Sequence, residues 1–83
     1  MDSLILTPKQ LASALKNRRK ELNLTQVETA SRVGLLPKTI SALESSPERC
    51  SLESLLKLIS VLDLEISLKS KPAPAKDAQK GEW

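Results

Sequence analysis

Apolar residues recur at helical spacing along most of the chain, and near the end the period changes. Leu11, Ala12, Leu15 and Leu22 share one helical face, with Ala14 beside it. The start of this first helix is well marked. Thr7 precedes Pro8, a favoured first helical residue, and Gln10 completes a capping box with Thr7. Leu6 is placed to staple onto Leu11. The cations of "KNRRKE" crowd the last turns, where the helix dipole favours them. A second capping box, Thr25 with Glu28, opens "TQVETASRV", and Gly34 predicts a left-handed stop. A third helix is expected from Pro37, with Ile40 and Leu43 facing inward. Its cap position holds Leu36, a poor N-cap pushed to an extended conformation by the following proline. After "SSPERCS", Ser51 caps a fourth helix whose main face is Leu52, Leu55, Leu56, Ile59 and Leu62. Leu58 and Val61 fall off that face, which predicts a helix buried on two sides.

In "LEISLK" the period drops to two: Leu64, Ile66 and Leu68 alternate with Glu65, Ser67 and Lys69. This predicts a strand. A lone strand has an open edge, and the simplest partner is the same strand of a second copy across a two-fold axis. Leu58, Val61, Leu64, Ile66 and Leu68 are therefore the expected homodimer residues. From Ser70 the chain reads "SKPAPAKDAQKGEW", without helical or strand period, and a disordered tail over 70–83 is expected. The expected organisation is one folded domain over 1–69, which carries the dimerisation residues, followed by that tail.

Composition narrows the chemistry. With 83 residues, no His, no Phe or Tyr, and single Cys and Trp residues, the core must be aliphatic. A chain this short has a marginal core, so a second subunit would help it. The absence of His removes the commonest general base and metal ligand. There is no glycine-rich phosphate loop and no paired nucleophile and base, so neither an enzyme nor a resident cofactor or metal is expected. A lone Cys50 fits a reducing, cytoplasmic setting. The start, "MDSLILTPKQ", lacks the charged region and apolar run of a secretory leader, and no stretch approaches membrane-spanning length. The net charge of +3 permits nucleic acid without requiring it.

The window Gln26–Ser45 carries the functional signal. Ala30 is small where two helices cross. Gly34 supplies the positive φ of a tight turn. Ile40 and Leu43 hold the second helix to the core. This is a helix-turn-helix pattern, and "TQVETASRVGLLPKTISALE" resembles the Cro/repressor-type (Xre) DNA-binding family. Over Thr7 to about Leu62 the resemblance implies an all-α, lambda-repressor-like bundle of four to five helices, to which the short C-terminal dimer strand is added. "LEISLK", the tail length and the "EW" ending are similar to HipB-type antitoxins, which partner HipA-type Ser/Thr kinase toxins, single-chain or split.

The resemblance implies a phosphate contact for Gln26, with Thr25 just before it, and an exposed recognition face of Pro37, Lys38, Thr39 and Ser41. It also implies a buried structural ion pair between Arg19 and Glu44. Arg18, Lys16 and Arg49 are then the cations free to face phosphates. The residues themselves suggest Lys38 for guanine O6/N7 or a phosphate, and Leu36 with Pro37 for thymine methyl groups. Modest direct readout leaves room for DNA shape. The expected function is a dimeric repressor of its own operon, binding a palindromic duplex operator and a kinase toxin. A stand-alone phage-type repressor and a protein-interaction module without DNA binding are the alternatives. Trp83, the one aromatic residue, is read as a partner anchor or degradation signal, or else a passive chain end.

Overall fold

A computed structural model describes residues 4–72. Four α-helices run in order: α1 (Pro8–Glu21), α2 (Gln26–Val33), α3 (Pro37–Leu43) and α4 (Leu52–Val61), with a 3-10 turn at Pro47–Arg49 between the last two. The N-termini form as their cap residues dictate. Thr7 and Gln10 make one reciprocal capping box, Thr25 and Glu28 a second, and the Ser51 hydroxyl accepts from the Ser54 amide. Leu6 remains 70% exposed, so the expected staple covers little of it.

Three helices end in the same way. After α1, α2 and α4 the chain turns through a left-handed residue, at Asn23 (φ 58°), Gly34 (φ 70°) and Asp63 (φ 57°). In each case the next amide reaches back to a carbonyl of the last turn: Leu24 to Arg19 at 3.2 Å, Leu35 to Ala30 at 3.0 Å and Leu64 to Ile59 at 3.1 Å. These are Schellman closures, which satisfy carbonyls the helix leaves open. Asn and Asp tolerate this backbone region better than other non-glycine residues, and Gly34 adopts it freely.

The core is one aliphatic cluster: Leu15 from α1, Ala30 from α2, Ile40 and Leu43 from α3, Leu58 and Ile59 from α4, and Leu62 just past its end. Leu11, Leu22, Leu35, Cys50, Leu55, Val61 and Leu64 pack around it. Thr29 is also fully buried. Its hydroxyl donates to the Thr25 carbonyl at 2.8 Å, so its burial leaves no unpaired hydrogen. Helix α2 packs against both α3 and α4, which fixes the two helices of the motif on the same support.

The inner face of α4 corrects the sequence reading. Leu55, Leu58, Ile59 and Leu62 form the inward stripe, while Leu52 and Leu56 are 67% and 46% exposed. A leucine-rich helix offers two overlapping stripes, and only the neighbouring helices select between them. Leu58 is wholly buried within its own protomer, so its side chain has no surface left for a dimer partner. Val61 and Leu64 are half-buried on the same core. Residues 64–69 carry no regular secondary structure, and no strand occurs among the described residues. Ile66 and Leu68 are 53% and 95% exposed. Trp83 and residues 73–83 of the expected tail lie outside the described residues.

Candidate nucleic-acid interface

The turn between α2 and α3 spans Gly34–Leu36 and sets the two helices against each other. Leu36 is extended (φ −91°, ψ 150°) and provides no side-chain cap for α3. The missing cap costs little, because the backbone compensates. Pro37 has no N–H to satisfy. The Leu36 carbonyl accepts from the amides of both Thr39 (2.9 Å) and Ile40 (3.3 Å). Only the Lys38 amide in that first turn makes no hydrogen bond among the described residues. The proline-initiated turn therefore leaves one donor open, on the residue that also carries the helix's single charge.

Leu36, Pro37, Lys38, Ser41, Ala42 and Ser45 are exposed, and Thr39 is half-buried. Lys38, Ser41 and Ala42 stand at i, i+3 and i+4 and so share one face, and Ser45 follows in the turn after the helix. Ala42 and Ser45 were not among the sequence candidates, although their spacing from Lys38 was the available signal. The Ser45 hydroxyl donates to the Ser41 carbonyl at 2.9 Å. Thr39 is the candidate the fold turns partly inward. An exposed Leu36, at 58%, is an apolar surface at the turn rather than a core residue.

At the start of α2, Thr25 is exposed. Its amide donates to Glu28 Oε1 at 2.8 Å, and its hydroxyl accepts from the Glu28 amide at 3.0 Å. The bond from the Thr25 amide first, and the Thr25 hydroxyl beside it second, hold the Glu28 carboxyl below its ordinary range. Gln26 is half-buried, and its Nε2 donates to Glu44 Oε1 at 3.2 Å.

That carboxylate is also the partner of Arg19. Arg19 Nε donates to Glu44 Oε2 at 2.6 Å and Nη2 to Oε1 at 3.1 Å, while Nη1 donates to the Leu24 carbonyl at 2.7 Å. The two side chains are 10% and 3% exposed. The hydrogen bond to Glu44 raises the Arg19 pKa against the cost of burial. This bidentate pair joins α1, the α1–α2 turn and the end of α3. Of the three cations expected to be free, Arg18 is not: its Nε donates to the Leu62 carbonyl at 2.9 Å, closing the end of α4, and it pairs with Glu21 at 3.3 Å. Lys16 and Arg49 are exposed and have no ion pair among the described residues.

A family model described as Helix-turn-helix (HTH_3) matches residues 15–69, which include the whole motif. The chain belongs to the helix-turn-helix family. Its similarity to named members of that family is extensive. It is 35% identical over 82 residues to Antitoxin HipB of Escherichia coli O6:H1, covering 95% of this chain and 87% of the relative. A HipB from a second Escherichia coli strain is 33% identical and 93% covered. Among solved structures, the HipA-HipB-O2-O3 complex contains a chain that superimposes with a TM-score of 0.80 at 32% identity, covering 86% of this chain and all of that one. The HipB-O4 20mer complex gives 0.79 at 32% identity over the same shares. A restriction-modification controller protein, 22% identical with a TM-score of 0.64, shares the helix-turn-helix fold. Among the described residues, no helix is long and apolar enough to cross a membrane.

Proposed function

We propose that the chain is a dimeric, sequence-specific DNA-binding antitoxin that represses its own operon and binds a HipA-type Ser/Thr kinase toxin. The observation that carries this reading is the likeness to HipB over nearly the whole chain, including a chain of the solved HipA-HipB-O2-O3 complex. The open face of α3 gives that likeness a physical basis. Lys38 supplies the charge for a guanine edge or phosphate, Ser41 a hydroxyl, and Leu36 with Pro37 an apolar surface for thymine methyl groups. Gln26, Thr25, Lys16 and Arg49 contact the backbone, which positions the helix without reading sequence. Thr39 contributes at the edge of the face, and Arg18 adds charge while remaining tied to α4.

The homodimer forms through the segment after α4, which pairs as a strand with its two-fold mate. Ile66 and Leu68, paired with their two-fold mates, close an edge that has no partner within one chain. Two recognition helices then lie about one DNA turn apart, roughly 34–36 Å, and the operator is palindromic. The chain works in the cytoplasm by binding, not catalysis, and Trp83 is the toxin anchor or turnover signal.

Lys38→Ala tests the division of labour. It should weaken selective DNA binding while dimer mass in light scattering is unchanged. Deleting residues 70–83 should spare DNA binding and weaken capture of a HipA-type kinase. Loss of operator binding on tail deletion contradicts the reading, and a stand-alone repressor would show no kinase capture at all.

A further inference from the structure

Glu44 does more than neutralise Arg19. Its nearly closed-off carboxylate receives three donors, and the third belongs to Gln26, on a different helix from either ion-pair partner. The bond has a chemical consequence. A side-chain amide has a donating and an accepting end. If Gln26 turned its Oε1 toward Glu44, two acceptors would face one another at about the observed 3.2 Å. The carboxylate therefore fixes Nε2 inward and uses one of its two N–H groups. One N–H remains, in the plane of an amide that would forfeit its bond to Glu44 on turning over. Arg19 fixes the carboxylate in turn through Nε and Nη2, and is itself held by the Leu24 carbonyl two residues before Gln26.

We propose that Glu44 is a positioning residue for DNA binding: through the Arg19–Glu44–Gln26 network it orients the Gln26 amide so that its remaining N–H donates to a phosphate oxygen. The inference rests on the DNA-binding reading and deepens it. A phosphate offers only acceptors, so an unrestrained amide would present its repelling oxygen in a share of its orientations. The network removes those orientations before DNA arrives, which lowers the entropic cost of binding. It also makes the contact depend on the position of α3, because Glu44 caps that helix. Backbone contact and recognition helix then move as one unit.

Two measurements test this. In the native protein without DNA, nitrogen relaxation of the Gln26 side-chain amide should give an order parameter near the rigid value of about 0.85; a value below about 0.6 overturns the proposal. The second is a cycle on operator affinity. Gln26→Ala should weaken binding by about tenfold in the native background, the scale of a hydrogen bond to a charged group. In an Arg19→Met/Glu44→Leu background, which leaves no lone buried charge, the same change should weaken binding less than about twofold. An equal loss in both backgrounds means that the pair is purely structural. If the paired variant does not fold, the relaxation result decides alone. If the native protein selects no operator, the DNA-binding reading fails instead, and a rigid amide would show the network standing without it.

Discussion

Replacing Arg19 with Met should strongly destabilise the protein, whereas replacing both Arg19 and Glu44 with apolar residues should not. Arg19→Met keeps most of the buried hydrocarbon but strands the Glu44 carboxylate. Its side chain is 3% exposed, and it would retain only the Gln26 amide at 3.2 Å. Breaking a buried pair from one side costs about 3–5 kcal/mol, because the remaining ion cannot recover its hydration. A domain of this length has about 4–12 kcal/mol of stability in total. At about 4–8 °C per kcal/mol, the melting temperature should fall by roughly 12–40 °C. Arg19→Met/Glu44→Leu removes both ions and loses the bonds to the Leu24 carbonyl and from the Gln26 amide, so it should lie within about 2 kcal/mol of the native protein. Far-ultraviolet circular dichroism during urea and thermal unfolding would measure all three. A cost below about 1 kcal/mol for Arg19→Met, the size seen for exposed pairs, would refute the reasoning. So would a double variant no more stable than the single one.

Two further expectations concern α4 and the second capping box. Leu58→Ala should cost about 2–5 kcal/mol of folding stability, since the residue is fully buried in the protomer. Leu68→Lys should leave that stability within about 0.5 kcal/mol, as surface substitutions do, and lower dimer mass in light scattering; the reverse pattern would restore Leu58 to the interface. Glu28→Gln should lower the melting temperature at pH 7. Because folding lowers the Glu28 pKa, the carboxylate's contribution is present above the ordinary glutamate value of about 4.3 and disappears as pH falls through the lower folded value. The gap between the two melting curves should therefore close in acid, and a gap that stays constant would contradict this.

The helices were legible because each is announced locally. Thr7 with Gln10, Thr25 with Glu28, and Ser51 are side-chain caps readable from spacing, and Gly34 marks its own turn. Asn23 and Asp63 close helices in the same left-handed conformation, but Asn and Asp occur in many settings and do not announce it as glycine does. The stripe on α4 was not legible: nearly every apolar position of "LESLLKLISVL" fits some helical face, and packing alone separates Leu58 from Leu56. The same limit applied to the interface. Lys38 and Ser41 could be placed on the open face from the motif. Arg18 and Gln26 have partners distant in sequence, the Leu62 carbonyl and Glu44, which no local pattern reveals. The uncapped start of α3 looked like a broken rule; the bifurcated Leu36 carbonyl shows how the backbone satisfies it.

The central claim is that α3 reads an operator as half of a two-fold pair. Selection from a random duplex pool, with the affinity of the winning sequence followed against salt, tests it most directly. A palindromic site with half-sites about one turn apart and a steep salt slope is predicted. Failure to enrich any sequence over random duplex would contradict it, and would mean that the Leu36–Pro37 start has left the helix without a reading role.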